Sequence, residues 1–485
     1  MSIEGSHRGA TTTVALGDQV ERELSQHKPL SVRRGIVLGL SAQQVGPVLA
    51  LYVGLVFLTS GATSWVGTLI GGVLILAIAE MIRIFATKYV TSGGLMSYVL
   101  HGLGRRWGLL TGAALILGYV AATAAVASVV VVFASSALSD LGFSGAFATN
   151  TQVVILLIVG VATGLFACLG VQGVALVALI FSIGVVPFIV ALSVGAAANT
   201  GVDLPALVNF SHTNLHNIVF GVTLTLGGLV GFDDMATVAA ETKNPKRSIP
   251  RIIFTVVIVL LVGQLVAIVL QTSSMAANAD LLAAGTSPIS IVASSAHLPW
   301  MGTVLDILLT LGEFAGGVAF VTYGSRIFAT AAEIGLLPRF VATISARTKS
   351  PNVAIIMLAV LQTILPIILV VAAGTAPIEG GLYFSSAITY FWCVPYVMTA
   401  VAAVVVLRRT GSTEVVSWVA VFVASIGFTT FVVFTFVEGL SGIYAAIPFI
   451  SFIAIAVLFA IFLLLDRRRG GTKIELNRLA SGVSQ

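Results

Sequence analysis

The sequence predicts an all-α integral membrane protein with 12 transmembrane helices. Only 9% of its 485 residues are charged and 58% are hydrophobic, whereas a soluble protein would carry about 25% charged residues. Apolar stretches long enough for a membrane helix, which needs about 20 residues, recur along nearly the whole chain. The two-residue alternation of an outer-membrane barrel is absent from the sequence. These observations exclude a soluble enzyme and a disordered protein.

Twelve apolar segments are taken as spans. The first six cover about 35–58, 65–86, 107–136, 151–170, 173–197 and 217–240. The other six cover about 252–275, 301–330, 353–374, 381–407, 415–437 and 442–465. The membrane domain is thus expected over residues 33–466, between polar tails at 1–32 and 467–485. Within it, Gly67 and Gly71 have the spacing that favours close helix packing.

The positions of the 24 basic residues predict the orientation in the membrane. All of them fall in the two tails or in the connections on the same side, and the opposite loops hold none. Cytoplasmic loops are enriched in Lys and Arg, so both termini of this multi-pass protein are expected in the cytoplasm, in the plasma (inner) membrane. The net charge of +5 therefore predicts no nucleic-acid partner. The cluster Arg467–Arg469 is expected to contact anionic membrane lipid.

Two spans carry sequences that interrupt a helix. Span 1 contains the run Ser41, Ala42, Gln43, Gln44, Val45, Gly46 and Pro47, in which proline removes a donor and crowds the preceding turn. Span 6 contains Gly227, Gly228, Leu229, Val230, Gly231, Phe232, Asp233 and Asp234. Breaks at corresponding positions of two halves predict an inverted repeat with a binding site near the membrane midplane. The alternative is a pair of kinked packing helices.

Three further motifs resemble those of the amino acid–polyamine–organocation transporters. Gly231-Phe232-Asp233, followed by Glu241 to Arg251 with Lys243-Asn244-Pro245, is similar to the family's sixth-helix signature, with Asp233 in place of the usual Glu. Ser325-Arg326 with Gly335-Leu336-Leu337-Pro338 resembles the stretch after helix 8. Ser92-Gly93-Gly94 resembles the stretch after helix 2.

The resemblance, over residues 33–465, implies a leucine-transporter-type fold. It implies a five-plus-five inverted repeat at about 33–197 and 217–407, with discontinuous helices 1 and 6 and two extra helices at about 415–465. It also implies a permease that moves amino acids by alternating access, with the substrate between the two breaks. The candidate substrate-binding residues are Ser41, Ala42, Gln43, Gln44, Val45, Gly46, Gly227, Gly228, Leu229, Gly231, Phe232 and, in span 3, Tyr119.

Acidic residues inside spans are costly, so each is a functional candidate. Asp233 and Asp234 either take part in transport, as a proton site or an ammonium contact, or cap the second half-helix. Glu313 either binds substrate or a proton, or makes a structural hydrogen bond. Asp306 lies nearer the end of its span and is expected to be solvated. Glu80 and Arg83, three residues apart, predict a local ion pair or an inner gate.

The coupling ion and the substrate stay open between alternatives. A proton is favoured over sodium or pure exchange, and a cationic amine or polyamine is the alternative substrate. A membrane sensor on a transporter scaffold is the alternative of another class, although no soluble domain is long enough to signal. No catalytic or metal-ligand cluster is recognisable, so no enzymatic activity, metal or cofactor is expected, and His212 and His216 lack a third ligand nearby. The oligomeric state is not predicted.

Overall fold

The computed structural model describes residues 30–90, 93–169, 179–237, 239, 242–283, 285–333, 335–345, 347–348, 350–438 and 442–468. Ser92, Glu241, Ile334 and nearly all of both predicted tails lie outside the described residues. Within the described ranges the chain is helical, and its one extended pairing is an isolated bridge between Leu30 and Thr242. An all-helical fold is what membrane burial demands, because each helix satisfies its own backbone hydrogen bonds.

The first half of the described chain contains nine α-helices. They are α1 (Val32–Ala42), α2 (Val45–Pro47), α3 (Val53–Ser60), α4 (Ser64–Ala86), α5 (Gly94–Leu103), α6 (Arg105–Asp140), α7 (Thr149–Leu169), α8 (Val186–Thr200) and α9 (Leu204–Leu207). π-helical turns at Val48–Tyr52 and Leu179–Ile183 join α2 to α3 and precede α8.

The remaining described part contains another nine α-helices. They are α10 (Leu215–Leu229), α11 (Pro245–Ala277), α12 (Ala279–Ala283), α13 (Pro288–Ser295), α14 (Pro299–Glu333), α15 (Asn352–Ala373), α16 (Pro377–Arg409), α17 (Val415–Glu438) and α18 (Ile443–Arg468). A 3₁₀-helix at Phe232–Ala236 follows α10.

Among the described residues, 11 helical segments are long and apolar enough to cross a membrane. The first, Val45–Ala86, has 42 residues and combines parts of the predicted spans 1 and 2. Its helix is divided by a 3₁₀-turn at Gly61–Thr63, where Gly61 has a φ of 64°. The multi-span character is confirmed, and the count of 12 stays a prediction.

Helix α6 forms the centre of the bundle and packs against α14 and α16. In its most apolar window 89% of the residues are buried, compared with 28% in α18 at the periphery. Small residues allow this close packing. A Cβ added at Gly118 of α6 would lie 2.3 Å from the Trp392 ring, and one at Gly67 of α4 would lie 2.8 Å from the backbone of Gly221. Gly67 therefore serves helix packing, as predicted.

Candidate functional site

The first helix break lies between α1 and α2. Helix α1 ends at Ala42, and Gln44 adopts a left-handed conformation with φ 50° and ψ 50° before α2 begins at Val45. That conformation costs an L-residue other than glycine about 1–2 kcal/mol. The Gln44 amide donates to the backbone oxygen of Glu313 at 3.3 Å, which ties the break to α14.

The second break lies at the end of α10. The backbone leaves the helix at Val230, whose ψ is 146°, and turns at Gly231, whose φ is 97°. A Cβ at Gly231 would lie 2.8 Å from Gln43 Nε2 and 2.8 Å from the Phe320 ring, so only glycine fits here. The Gln43 amide donates to the Val230 oxygen at 3.2 Å. The two breaks are therefore in direct contact.

A cavity of about 40 Å³, which we call the central cavity, lies beside this contact. It has room for roughly three water molecules. Both breaks, α6, α14 and α16 contribute to its wall. The wall consists of Gln43, Gln44, Pro47, Val48, Leu51, Tyr52, Ala122, Ala125, Val126, Val129, Gly227, Gly228, Val230, Glu313, Phe320, Ser385 and Ile388.

Few polar atoms face this largely apolar cavity. Glu313 supplies its one carboxylate, is 3% exposed, and its Oε2 has no hydrogen-bond partner among the described residues. Gln43 Oε1 likewise has none there. Tyr52 and Ser385 pair with each other, hydroxyl to hydroxyl, at 3.2 Å. The residues of the cavity wall thus include two buried oxygens without a partner among the described residues, and one hydroxyl pair.

Asp233 and Asp234 lie off the central cavity, in a cluster of aromatic side chains. Tyr396 and Trp392 donate to the Asp233 carboxylate at 3.2 and 3.5 Å, and the Tyr119 hydroxyl donates to Asp234. Both acids are buried among these aromatic donors, and their roles in transport or in capping the second half-helix stay predictions.

Glu80 and Arg83 form an ion pair at 2.6 Å near the end of α4. Arg83 also reaches Glu414 at 2.6 Å, just before α17, and Ser417 bonds both acids. This charged network joins the end of α4 to the beginning of α17. The hydrogen bond and charge of Arg83 lower the pKa of the exposed Glu414 below its ordinary value of 4.5.

Five predicted site residues lie on the central cavity, namely Gln43, Gln44, Gly227, Gly228 and Glu313. The other predicted substrate-binding residues are buried without lining it: Tyr119 lies on α6, and the breaks contain Ser41, Ala42, Val45, Gly46, Leu229, Gly231 and Phe232. Gly46, for example, packs against the backbone of Ser182, where an added Cβ would lie 2.6 Å from the carbonyl oxygen. Tyr119 lies one turn too early on α6, and Ala122 takes the position on the wall.

Sequence reasoning missed Tyr52, Ser385 and Phe320 on the cavity wall, and Trp392 and Tyr396 beside Asp233. An aromatic residue in an apolar span gives no signal of its own. The helical repeat gives a partial signal for Tyr52, because this residue lies eight residues, about two helical turns, after Gln44.

One expectation was wrong. Asp306 is fully buried instead of solvated. Its carboxylate accepts hydrogen bonds from Ser287 at 2.7 Å and Ser290 at 2.8 Å. Helix α13, which contains Ser290, covers this end of α14 and removes Asp306 from solvent. The prediction rested only on the position of Asp306 near the end of its span, which does not show that α13 packs over it.

Comparison with known proteins gives a consistent result. A family model described as amino acid permease matches residues 35–465. An uncharacterised transporter of Legionella pneumophila is 26% identical over 294 residues, which cover 58% of this chain and 61% of that protein. A branched-chain amino acid permease of Lactococcus lactis is 26% identical over 303 residues, covering 59% of this chain and 63% of the permease.

A match over a shorter stretch is the vacuolar cationic amino acid transporter 4 of Arabidopsis thaliana. It is 28% identical over 214 residues, which cover 42% of this chain and 34% of that transporter. The chain thus aligns with about six tenths or less of the length of these relatives.

Proposed function

This chain belongs to the amino acid permease family, within the amino acid–polyamine–organocation superfamily, and we propose that it carries amino acids across the plasma membrane as a secondary transporter. The observation that carries the proposal is the central cavity between two interrupted helices. Irregular backbone at membrane depth is tolerated where it lines a cavity or is packed in protein. Such breaks are found at the substrate sites of transporters with inverted repeats.

The wall of the cavity suits the ammonium group and the side chain of an amino acid. The unused oxygens of Glu313 and Gln43 attract an ammonium group. Apolar residues such as Val126 and Ile388 then surround the side chain. Because the cavity has room for only about three waters, we propose that it widens when substrate enters.

The proposal includes the layout of the chain. The 42-residue segment Val45–Ala86 is about twice the length of one span and is divided at Gly61, so we count it as two. This gives 12 spans, in two inverted repeats at about 33–197 and 217–407, followed by two helices at about 415–465. Both termini then face the cytoplasm, as the distribution of basic residues predicts.

We propose a proton as the coupling ion, with Asp233 and Asp234 as its site. Two adjacent buried carboxylates disfavour double ionisation, so one of the two readily holds a proton. Asp233 lies two residues after the Gly231 turn, so a change in its charge acts directly on the break. Sodium coupling and pure exchange are the other possible outcomes of the experiment below.

A cationic amine is the second candidate substrate, and Glu313 favours it. This carboxylate is the one formal charge on the cavity wall, so a cation is attracted without a matching site for an anion. The ammonium of an amino acid and that of a simple amine would both contact the same oxygen.

Uptake by the purified protein in liposomes tests the function. The probes are radiolabelled leucine and arginine, chosen because relatives are named for branched-chain and cationic amino acids, and putrescine. We expect uptake of at least one amino acid above that of empty liposomes. Uptake of putrescine alone would establish the second candidate, and failure of all three, with no thermal stabilisation by any, would overturn transport of these classes.

Replacement of Asp233 tests the coupling. We expect Asp233→Asn to abolish the dependence of uptake on an imposed pH gradient, because the amide cannot gain or lose the proton. Asp280→Asn, at an exposed position on α12, is the matched control and should retain the dependence. A normal pH dependence in Asp233→Asn would remove Asp233 as the coupling site.

A further inference from the structure

Asp306 is a buried carboxylate that lies on neither the central cavity nor the cluster around Asp233 and Asp234. The sequence has no Lys or Arg between Arg251 and Arg326. Arg326, the next basic residue along α14, comes 20 residues after Asp306, which is about 30 Å along the helix. A buried carboxylate far from any cation is strongly disfavoured in its charged form, so Asp306 is a candidate for binding a proton.

The contacts of Asp306 link its charge to the position of α13. The Ser287 hydroxyl donates to Oδ1 at 2.7 Å, and the Ser290 hydroxyl donates to Oδ2 at 2.8 Å. Each oxygen thus accepts one hydrogen bond, which suits an ionised carboxylate. A proton on either oxygen would make that oxygen a donor, so the serine facing it would have to turn its own hydrogen elsewhere. Protonation of Asp306 therefore weakens its hold on α13.

Ser287 has a second position in which its hydroxyl is used. It is the N-cap residue of α13, but its side chain makes no capping hydrogen bond. A serine at this position usually accepts a backbone N–H group of the first turn, which contributes about 0.5–2 kcal/mol to the stability of the helix. In this structure the hydroxyl bonds Asp306 instead. If Asp306 becomes neutral, Ser287 can cap α13.

A second carboxylate lies beside this contact, at the surface. Asp140, the last residue of α6, is exposed and accepts the Thr303 hydroxyl at 2.8 Å. Thr303 lies one turn before Asp306 on α14. Asp140 and Asp306 interact electrostatically, and because like charges repel, a proton on the buried carboxyl is favoured. Asp140 also places an exposed proton acceptor next to the buried one.

The elements that pack against α13 and the first half of α14 bring few other titratable groups. Helices α7, α8 and α15 have no Asp, Glu, His, Lys or Arg, and the basic residues of α11 all lie in its first seven residues. The remaining groups are Tyr52 in the adjoining π-helical turn, the exposed Asp280 and His297 on either side of α13, and Glu313 about two turns after Asp306.

Helix α13 also contacts α3, the continuation of the first interrupted helix. A Cβ added at Gly54 of α3 would lie 2.5 Å from Cγ of Pro288, the residue after Ser287. Tyr52, two residues before Gly54, lines the central cavity. A shift of α13 at Ser287 would therefore act directly on the helix that forms one wall of the cavity.

We propose that Asp306 is a proton-binding site, on the side of the membrane opposite the basic residues, and that its protonation loosens α13 from α14. In the charged form Asp306 binds both serine hydroxyls and holds α13 against α14. In the neutral form Ser287 caps α13, and the contact between α13 and α3 is free to open. This group lies outside the proposed substrate and coupling sites and responds to the pH on one side of the membrane.

Thiol alkylation of the purified full chain tests the proposal, in a background that lacks the two native cysteines. The reporter is Ala293→Cys, which is buried where α13 contacts Gly302 of α14. The reference is Ser294→Cys, exposed on the same helix, because the ratio of the two alkylation rates corrects for thiol ionisation. We expect this ratio to rise several-fold from about pH 8 to about pH 5 while Asp306 is present.

Two variants connect the response to this contact. Asp306→Asn has a neutral amide of the same shape, and Ser287→Ala removes the hydroxyl and guards against misfolding of Asp306→Asn. We expect a high ratio at both pH values in each. Ser274→Ala is the matched control, since Ser274 on α11 is also fully buried and its Oγ has no partner among the residues described. It should keep the rise at acid pH.

The outcome that would overturn the proton site is a ratio that does not change with pH in the chain with Asp306. The same conclusion would follow if Asp306→Asn, or Ser287→Ala where Asp306→Asn does not fold, kept the full rise at acid pH. Neither outcome bears on uptake of amino acids, which is measured separately.

Discussion

Glu313 is the one acidic residue on the wall of the central cavity. Its Oε2 lies without a partner among the described side chains, on a wall that is otherwise uncharged. A hydrogen bond to a charged group contributes about 1.5–3 kcal/mol, and each 1.4 kcal/mol is a factor of 10 in affinity.

Glu313→Gln therefore should weaken the binding of ammonium-bearing ligands by about 10-fold or more. Competition against radiolabelled arginine measures the change, with Asp280→Asn as the control. Equal affinity in wild type and Glu313→Gln would show that Glu313 makes only a structural contact.

Gly227 allows α10 to approach α16 where both line the cavity. A Cβ there would lie 2.5 Å from the backbone oxygen of Ser385, which cannot rotate away. We expect Gly227→Ala to reduce the free energy of unfolding by about 1–3 kcal/mol, the usual cost of overpacking. Thermal unfolding measures this. Gly164→Ala, with an ordinary contact of 3.5 Å to Ala359, should be neutral or stabilising, and equal losses in both would contradict the packing argument.

The Arg83–Glu414 contact predicts a pH dependence of stability. Arg83 lowers the pKa of Glu414 in the folded state. The contact therefore contributes its full stabilisation of the folded state at pH values above the unfolded pKa of Glu414, and this contribution is lost as the pH falls through the folded pKa. We expect Glu414→Gln to lower the melting temperature slightly near pH 6, and we expect this effect to shrink as the pH falls below about 4. A difference in melting temperature between the wild type and Glu414→Gln that grows towards acid pH would contradict the predicted direction.

At the scale of elements, sequence could locate the breaks but not their partners. Gly46-Pro47 and the glycines around Val230 mark where a helix fails, because glycine and proline act on the local backbone. The contact between Gln43 and Val230 joins residues 187 positions apart, and nothing local encodes it. Asp306 depends on a nearer contact, because its burial follows from how α13, the preceding helix, packs against α14. Local sequence patterns predicted the fold class, whereas the residues that line the site are brought together by tertiary contacts.

Asp306 holds α13 against α14 through two serine hydroxyls. Asp306→Ala leaves both donors without their acceptor, at about 1–3 kcal/mol for each buried group. We expect lower thermal stability and faster hydrogen exchange in α13 than in the wild type, and a smaller effect in Asp306→Asn. Unchanged exchange in α13 would show that other contacts hold this helix.

At the scale of the whole molecule, the central helices have a larger buried fraction than the helices at the periphery. Helices α6 and α10 have 89% and 78% of their apolar windows buried, whereas α17 and α18 have 33% and 28%. The central cavity and the cluster around Asp233 and Asp234 both touch α6, through Val129 and Tyr119. Movement of this helix relative to its neighbours would change both sites together, and we propose that transport by alternating access uses such a movement.

In the proposed transport, substrate occupies the cavity between the two breaks. Ala125→Cys places a thiol on its wall, in a background with Cys168→Ala and Cys393→Ala, the two cysteines of the chain. Ala113→Cys, equally buried on α6 but off the cavity, is the control. The measurement is the alkylation rate with and without a saturating transported amino acid. We expect substrate to slow alkylation of Ala125→Cys at least several-fold and to leave Ala113→Cys unchanged. Equal rates for Ala125→Cys with and without substrate, in protein that still transports, would contradict the account.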